Sequence, residues 1–392
     1  MKVDILIIGA GPAGLSAAMS AAKGGEARVL VVEKEGKLGV KPCAEAVSAA
    51  TLEDMGAPKD RRIIRNPIRG ARIHAPDERI YVEITGELGQ GYIINKKSLL
   101  EWMARRASSL GATIWVASPA IDLHVNSKGF VDEVAVLRHG RLVKINPKIV
   151  IACDGIASLV ARKLFERRGY RVIPTAQYIM ADVGVGDEHI IYVWLGRDVA
   201  PGGYLWLFPR GEKEICVGVG VQRGVPRDYL ERFIERKQEI FSRAVELEYS
   251  ISAVPIGGQV KQRVRGNVML CGDAAGQVIP LTGGGIHSSS IAGFIAGKVA
   301  KEAVAYNEIH EDKLREYERE YDLEWGARIR RSLKALKVIE RLSDEDLNEL
   351  AKVLDPEDII ALANGLDVRK VAQKLMKHPS FALKIAKALI GA

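Results

Sequence analysis

Three glycines near the start of the chain, Gly9, Gly11 and Gly14, have the spacing of a loop that binds the pyrophosphate of a dinucleotide. Gly9 suits a tight turn, Gly11 lets the backbone approach the pyrophosphate at a helix N-terminus, and Gly14 permits close helix packing. Glu33 follows about 20 residues later, where its carboxylate would accept hydrogen bonds from the ribose hydroxyls. The segment therefore predicts a dinucleotide site.

A second glycine-rich segment, late in the chain, favours a flavin nucleotide. Asp273 follows an apolar run at residues 267–271, and Gly285 and Ile286 begin a long stretch that is typical of a helix. The positive N-terminal end of that helix would stabilise negative charge on a reduced flavin. The segment resembles the second fingerprint of FAD-dependent enzymes, and the sequence has no second glycine fingerprint for a separate nicotinamide domain. The resemblance implies FAD as the cofactor.

An aromatic run between these two segments indicates a pocket. Tyr204, Trp206 and Phe208 alternate along the run, which ends at Pro209, so a strand would place the three rings on one face. Such a face is usually hydrophobic core when no other feature surrounds it. Beside a flavin, it predicts an apolar pocket with aromatic walls next to a redox cofactor.

The elements that must position these residues form an α/β pattern. Residues 3–8, 9–23 and 28–32 predict a strand, a helix and a second strand, which make a Rossmann-like βαβ unit. Shorter alternating runs predict a mostly antiparallel substrate sheet inserted into this domain, formed by residues 70–73, 80–84, 133–137, 142–145, 176–183 and 190–194. After residue 308 the pattern is helical, with helix starts at Ser343, Asp355 and Asp367.

The predicted domain organisation follows from this pattern. The FAD-binding domain is expected in three segments, 1–70, 96–165 and 261–307. The remaining segments are the substrate-domain strands at 71–95, the substrate domain with its cavity at 166–260 and a C-terminal helical domain at 308–392.

Composition excludes several classes of protein. The 392 residues carry a net charge of +8, with 47% hydrophobic and 27% charged residues, as in ordinary globular proteins. Lysines and arginines alternate with acidic residues along the helical segments, so nucleic-acid binding is not predicted. The positive charge suits a phosphate-bearing lipid, an anionic membrane surface or an acidic redox partner. No apolar run is long enough to cross a bilayer, so any membrane contact is expected to be peripheral.

The four cysteines are far apart in the sequence and include no CxxC pair. This spacing predicts neither a zinc site nor a disulfide framework, and no metal is expected. A reducing, cytoplasmic location fits this cysteine usage best.

Five ordered motifs resemble one known family: the Gly9–Gly14 loop, Lys41–Ala46 with its cysteine, Cys153–Ser158 with an Asp-Gly pair, Pro201–Pro209 and Gly266–Gly276. Together they resemble the geranylgeranyl reductases, of the archaeal digeranylgeranylglycerophospholipid reductase type, within the para-hydroxybenzoate hydroxylase-like FAD superfamily. The resemblance implies an FAD enzyme that saturates isoprenoid double bonds of ether-lipid precursors. It also implies that Tyr204, Trp206, Phe208 and Pro209 line the prenyl cavity.

The resemblance further implies a set of cofactor contacts. Lys96 stands where relatives usually have an arginine. A phosphate contact there would come from a single ammonium group rather than from a bidentate guanidinium group. In the Asp-Gly motif the usual arginine position holds Ala161, with Arg162 next to it. The expected FAD contacts are Gly9, Gly11, Ala13, Gly14, Glu33, Cys43, Ala44, Ala46, Lys96, Ala120, Asp154, Asp273, Gly285 and Ile286.

The chemistry that this resemblance implies needs a proton donor. An isoprenoid double bond has no electron-withdrawing neighbour, so hydride from flavin N5 must be matched by a proton at the other carbon. Cys43 is the leading candidate for the proton donor. The alternative interpretation is that it only packs against the flavin ring. Tyr204 and Trp206 offer apolar walls and polar tips that would orient a water or stabilise positive charge. His287 is a second candidate donor, and Glu45 would gate protonation.

Several alternatives stay open at this point. The same scaffold serves FAD monooxygenases and halogenases, a flavin-dependent prenyl cyclase or isomerase, and a lipid-binding flavoprotein without turnover. The substrate is expected to be a geranylgeranyl diether phospholipid or geranylgeranyl diphosphate. The expected electron donor is ferredoxin or NAD(P)H.

Overall fold

The computed structural model describes residues 1–366 and 369–378. Its largest sheet, here called the cofactor sheet, has eight strands. Strand Lys2–Ile8 lies at its centre and pairs in parallel with two neighbours. The order across the sheet is Val264–Arg265, Val268–Leu270, Arg141–Ala152, Lys2–Ile8, Val29–Val32 and Thr113–Trp115, and Val131–Arg138 and Ala120–Val125 extend it as an antiparallel meander from Arg141–Ala152.

Two helices of small residues pack directly against each other beside the cofactor sheet. They are Pro12–Ala22 and Ile286–Ala305. A Cβ on Gly293 would overlap the Ala13 carbonyl, and one on Gly297 would overlap the Ala17 carbonyl. The two helices therefore run parallel in close backbone contact, which only small side chains allow. Their N-termini lie at the same edge of the sheet, where the carboxyl ends of its parallel strands meet.

The second sheet, here called the substrate sheet, has seven strands. Helix Pro226–Arg236 covers one of its faces with the buried side chains of Leu230 and Phe233. The other face carries the aromatic run and packs on Ile68 and Ile93 of the third sheet. The order across the substrate sheet is Val245–Pro255, Val172–Ala181, Glu214–Gly220, Tyr204–Gly211, Ile190–Trp194, Gly70–His74 and Tyr81–Ile84.

A small third sheet holds the loop that carries Cys43. Its strands are Ala46–Ser48, Gly91–Ile94 and Ile64–Ile68. The remaining helical segments are Ala49–Asp54, Gly86–Gly89, Lys96–Ser109, Leu159–Leu164, Gln238–Phe241, Gly272–Ala275, Glu311–Leu314, Glu316–Tyr321, Asp322–Gly326, Ala327–Ile339, Asp344–Val353, Pro356–Asn364 and Arg369–Met376.

The C-terminal region is helical where it is described. Ser343 and Asp355 each form a capping box, so both of these predicted helix starts are confirmed. The third, Asp367, and residues 379–392 lie outside the described part of the chain. The predicted α/β class with a parallel sheet, antiparallel sheets and a helical end is confirmed.

One part of the strand assignment was wrong. Residues 133–137 and 142–145 were predicted in the substrate sheet, but strands Val131–Arg138 and Arg141–Ala152 belong to the cofactor sheet. Arg141–Ala152 pairs antiparallel with its hairpin partner over its first half and parallel with Lys2–Ile8 over its second half. Alternation in such a strand indicates one exposed face and carries no information about which sheet it joins.

The two larger sheets draw their strands from different parts of the chain. Strands of the cofactor sheet lie within residues 1–70, 96–165 and 261–307. Strands of the substrate sheet lie within residues 70–95 and 166–260. The domain boundaries themselves stay a prediction.

The buried carboxylate of Asp4 predicts a pH-dependent contribution to stability. Burial would raise the pKa of Asp4, but hydrogen bonds from Arg28 and the ammonium group of Lys148 outweigh it and lower the pKa from 3.8 to about 2. Because the charged form is favoured in the folded state, the stabilisation is complete above pH 3.8 and is lost as pH falls through the folded pKa.

Asp4→Asn is therefore expected to lower the free energy of unfolding at neutral pH by roughly 1–2 kcal/mol. Urea unfolding should find that the gap between wild type and variant narrows as pH falls from about 4 to about 2. Asp122→Asn, which removes an exposed partner of Lys163, is the matched control and should leave the unfolding midpoint unchanged. An unchanged gap across this pH range would contradict the assignment.

Candidate cofactor and substrate site

The glycine loop after the first strand is tight on one side and open on the other. Gly9 has a φ of 101°, and a Cβ there would overlap the Cys153 carbonyl. A Cβ on Gly14 would overlap the Gly9 carbonyl. Gly11 differs, because no atom of any described residue beyond its chain neighbours lies within 4 Å of the position of its Cβ. Gly11 is also the N-cap of helix Pro12–Ala22, so the open side of the loop coincides with a helix N-terminus.

Glu33 lies directly beside this loop. It follows strand Val29–Val32, and its Oε2 accepts a hydrogen bond from the Ala10 amide at 2.7 Å. Its Oε1 accepts one from the Glu35 amide at 2.9 Å. The carboxylate is thus fixed at the mouth of the glycine loop, as a ribose ligand requires.

Two buried polar groups beyond the loop are incompletely satisfied. Oδ2 of Asp154 accepts hydrogen bonds from the amides of Leu159 and Val160, at 2.7 and 3.3 Å, whereas its Oδ1 is buried without a partner among the described residues. Burial raises the pKa of Asp154. Arg167 stacks on Tyr170 with its guanidinium carbon 3.4 Å from the ring centroid, and two of its nitrogens are buried with no partner in the described part of the chain. Such orphaned atoms fit a polar ligand nearby.

Asp273 contacts both Tyr170 and the loop that carries Cys43. It lies in the short helix Gly272–Ala275, and its backbone carbonyl accepts a hydrogen bond from the Tyr170 hydroxyl at 2.7 Å. Its carboxylate pairs with the ammonium group of Lys41. Burial would lower the pKa of Lys41, but the carboxylate of Asp273 raises it. The Lys96 ammonium donates to the Lys41 carbonyl instead of projecting into solvent.

The aromatic run places its three rings on one face of its strand, as predicted, and this face is here called the aromatic wall. Trp206 and Phe208 are buried there in a hydrophobic cluster. The Tyr204 and Trp206 ring centroids are 5.9 Å apart, and those of Trp206 and Phe208 are 6.4 Å apart. The indole of Trp206 lies over Gly218 on the neighbouring strand, where a Cβ would collide with the ring. Its Nε1 donates to the Cys216 sulfur at 3.5 Å. A flat aromatic surface results, with its indole N–H already engaged.

Tyr204 fastens this wall to the second glycine-rich loop. Its hydroxyl donates to the Thr282 carbonyl, four residues before helix Ile286–Ala305 begins. Gly285 is the N-cap of that helix. Burial, with a smaller effect from Cys43, raises the pKa of Tyr204 to about 12. The phenol therefore keeps its proton at neutral pH.

The loop with Cys43 approaches the same wall. The Glu45 amide donates to the Cys43 sulfur at 3.4 Å, and the side-chain amide of Gln177 lies 3.5 Å from the Cys43 carbonyl. Ala44 packs against the aromatic cluster. Cys43 is also close enough to raise the pKa values of both Tyr204 and Cys216, although burial is the larger cause in each. The structure thus brings Cys43 and the aromatic run together.

His287 has a different set of partners. Its Nε2 lies 2.7 Å from Oδ2 of Asp54, and its ring packs edge-on against Trp325 at 4.6 Å. Burial lowers the pKa of His287 against the opposing effect of Asp54. Its contacts join helix Ala49–Asp54 to the helix that begins at Ile286.

The other predicted site residues lie in ordinary backbone settings. Pro209 directly follows Phe208 and is therefore not part of the alternation of the three aromatic residues. Its carbonyl accepts a hydrogen bond from the Asn66 side chain at 2.9 Å. Ala46 is exposed and pairs with Ile93, and Ala120 begins a strand of the meander. Three neighbouring arginines of the C-terminal helical region have different partners: Arg328 contacts Glu324 and Trp325, Arg330 is 3.9 Å from Asp322, and Arg331 donates to the Gly365 carbonyl.

Sequence reasoning missed several residues that the structure places in the site. Arg210 is two residues beyond Phe208, so the same alternation that grouped the aromatic residues would have placed it on their face. Gln177, Tyr170 and the Lys41–Asp273 pair had no comparable signal, because their partners are distant in the sequence.

The described part of the chain lacks two features, a cluster that could bind a metal ion and a helix that could cross a membrane. Within residues 1–366 and 369–378, no group of three or more His, Cys, Asp or Glu side chains is placed to hold a metal ion. Among the helices of the same residues, none combines the length and the apolar character that crossing a bilayer requires.

The fold and the site define an FAD-dependent oxidoreductase. The family model described as "FAD dependent oxidoreductase" matches residues 4–166, and the one described as "Geranylgeranyl reductase catalytic domain" matches residues 172–254. The second match contains the whole aromatic run. The chain belongs to the geranylgeranyl reductase family, as its full-length relatives establish.

The relatives match the chain from end to end. Digeranylgeranylglycerophospholipid reductase 2 of Methanopyrus kandleri is 35% identical and covers 100% of both chains. Digeranylgeranylglycerophospholipid reductase of Methanocaldococcus jannaschii is 32% identical over 99% of this chain and 98% of its own. The solved structure of a geranylgeranyl bacteriochlorophyll reductase-like protein from Thermoplasma acidophilum superimposes with a TM-score of 0.87, at 28% identity over 99% of both chains.

A flavin-dependent brominase superimposes with a TM-score of 0.74 but is only 14% identical, over 93% of this chain and 94% of its own. That likeness concerns the fold alone. FAD is the cofactor of this family, and the open side at Gly11 together with the orphaned Oδ1 of Asp154 fits a dinucleotide of this kind.

Proposed function

We propose that this protein is an FAD-dependent reductase that saturates the isoprenoid double bonds of geranylgeranyl chains in archaeal ether-lipid precursors. The observation that carries the proposal is the aromatic wall of Tyr204, Trp206 and Phe208, which lies against the Cys43 loop and is fastened by Tyr204 to the loop that begins the second cofactor helix. An apolar pocket at that junction suits a prenyl chain held beside a flavin.

We propose that the residues around the two parallel helices hold FAD. The open N-terminus at Gly11 suits the pyrophosphate, Glu33 suits the ribose, and the helix beginning at Ile286 directs its positive end at the flavin. Asp273 would exchange its contact with Lys41 for the ribityl chain. The full proposed set is Gly9, Gly11, Ala13, Gly14, Glu33, Cys43, Ala44, Ala46, Lys96, Ala120, Asp154, Asp273, Gly285 and Ile286.

Reduced FAD, when bound, supplies the hydride that adds to one carbon of each double bond. The other carbon needs a proton, and Cys43 is the proposed donor. Tyr204 is the weaker candidate because its hydroxyl hydrogen already goes to the Thr282 carbonyl and its pKa is raised to about 12. The contacts of His287 with Asp54 and Trp325 give it a packing role.

Trp206 and Phe208 have a role that follows from their surfaces. Because the indole N–H of Trp206 is directed at Cys216 and one face of its ring covers Gly218, the two rings would offer only apolar surface to a substrate. They would exclude water from the double bond and stabilise positive charge that develops on a tertiary carbon. Pro209, at the end of the run, would complete the cavity through its backbone.

The finer identity of the partners is part of the proposal. The positive net charge suits either anionic substrate, and the names of the full-length relatives favour a diether phospholipid over geranylgeranyl diphosphate. We propose peripheral contact with the membrane from the cytoplasmic side. Ferredoxin or NAD(P)H would supply the electrons.

An anaerobic titration tests the proposed function. The flavin of the purified protein is reduced with dithionite, digeranylgeranylglyceryl phosphate is added, and flavin absorbance is followed. The proposal predicts that lipid restores the oxidised spectrum under nitrogen. Lipid that leaves the flavin reduced, combined with lipid-dependent oxygen uptake in air, would overturn the proposal in favour of a monooxygenase or halogenase. Flavin that never responds to lipid would indicate a binding protein.

A further inference from the structure

A buried arginine lies directly after the aromatic run and joins it to the Cys43 loop. Arg210 belongs to strand Tyr204–Gly211, and its side chain is only 8% exposed. Its Nη1 lies 2.7 Å from Oε2 of Glu45, and its Nε lies 2.5 Å from Oε1 of Glu214. The planar guanidinium therefore bridges two carboxylates, a task for which lysine has the wrong geometry.

Glu45 needs such an anchor because its backbone is strained. Its φ is 65°, in the left-handed region that a residue with a Cβ rarely adopts. Residues in this region persist only where their surroundings hold them.

Every polar group of Glu45 is engaged. Its Oε1 accepts a hydrogen bond from the Lys96 amide at 2.9 Å, where helix Lys96–Ser109 begins, and its carbonyl accepts one from Ile94 at 3.0 Å. Its own amide donates to the Cys43 sulfur. The strained turn is thus held by contacts with Arg210, the Lys96 amide and the Ile94 amide. The same turn contacts the Cys43 sulfur through the Glu45 amide.

We propose that Arg210 and Glu45 are positioning residues, whose ion pair holds the turn at residues 43–45 so that the Cys43 thiol faces the aromatic pocket. The inference rests on the proposed function, because it assigns these residues a part in proton delivery. When the pair is broken, Glu45 relaxes towards ordinary φ values and Cys43 moves with it. A displacement of about 1 Å at a reacting group costs on the order of 100-fold in rate.

Four variants test the inference. Arg210→Met breaks the pair, and Arg210→Lys keeps the charge without the fork. Glu45→Ala keeps a Cβ, and with it the strain of the left-handed turn, while it removes the side-chain anchors, and it leaves Arg210 paired with Glu214. Arg72→Met is the matched control, because Arg72 pairs with Glu83 at 2.8 Å elsewhere on the substrate sheet. Thermal melting and FAD content establish that each variant is folded and loaded.

The expected results distinguish a displaced Cys43 thiol from general destabilisation of the protein. Arg210→Met and Glu45→Ala should lower kcat for lipid reduction about 100-fold with little change in KM, and Arg210→Lys should recover part of the loss. The rate of Cys43 alkylation by iodoacetamide, followed by peptide mass spectrometry, should change about tenfold in the same two variants. Arg72→Met should match wild type in both measurements.

Two outcomes would overturn the inference. Wild-type kcat and alkylation rates in Glu45→Ala would show that the anchors do not position the thiol. Equal losses in Arg210→Met and Arg72→Met would indicate general destabilisation. If wild type itself fails to reduce lipid, the proposed function has failed, and the alkylation rates alone decide whether the ion pair positions Cys43.

Discussion

Replacing Cys43 by alanine is expected to lower the turnover number for lipid reduction about 100-fold or more while FAD stays bound. The reason is that the thiol is the proposed proton source for a carbon that has no acidic neighbour. The hydroxyl of Tyr204 is a poor substitute, because it donates to the Thr282 carbonyl and its pKa is raised to about 12. Single-turnover rates of flavin reoxidation with lipid, under nitrogen, measure the step directly.

Two companion variants make the Cys43 result specific. Cys216→Ala removes a buried thiol from the same wall, where it accepts a hydrogen bond from Trp206, and is expected to lose less than about threefold in the same rate. Cys43→Ser keeps a small polar group and should fall between alanine and wild type. Full turnover in Cys43→Ala would remove the cysteine from the mechanism and leave only its packing role.

Replacing Gly11 by valine is expected to abolish FAD binding without unfolding the protein. A Cβ at Gly11 meets no protein atom within 4 Å, and its backbone has ordinary extended angles, so the apoprotein should accommodate the side chain. The same side chain would occupy the space where the pyrophosphate is proposed to approach the helix N-terminus. Flavin released on denaturation, per mole of protein, should fall to about background, while the urea midpoint of the apoprotein stays unchanged.

The matched control is Gly186→Val. A Cβ at Gly186 would meet only the Tyr192 hydroxyl, at 4.0 Å, and Gly186 lies before strand Ile190–Trp194 of the substrate sheet. This variant should bind FAD as wild type does. Normal flavin content in Gly11→Val would place the pyrophosphate elsewhere, whereas an unfolded apoprotein would contradict the open geometry at Gly11.

The local parts of the site could be predicted from sequence because each is a short motif with its own physical requirement. The turn at Gly9, the open position at Gly11 and the tight contact at Gly14 all occur where the spacing indicated. Period-two alternation placed Tyr204, Trp206 and Phe208 on one face for the same reason. Capping residues fixed two helix starts in the tail.

The long-range parts could not be predicted in this way. Lys41 and Asp273 are 232 residues apart, and Arg210 and Glu45 are 165 apart, so no local pattern joins them. The strand Arg141–Ala152 changes partner along its length, which hydrophobic alternation does not encode. The strained backbone of Glu45 is likewise a product of its surroundings, because nothing in its residue type favours a positive φ.

The mass of the lipid product tests the central claim most directly. Dithionite-reduced protein is mixed with digeranylgeranylglyceryl phosphate under nitrogen, in H2O and in D2O, and the lipid is analysed by mass spectrometry. Reduction predicts a gain of two hydrogens for each double bond, with deuterium incorporated at the saturated carbons in D2O. A rearranged product of unchanged mass would instead establish a cyclase or isomerase and contradict the account.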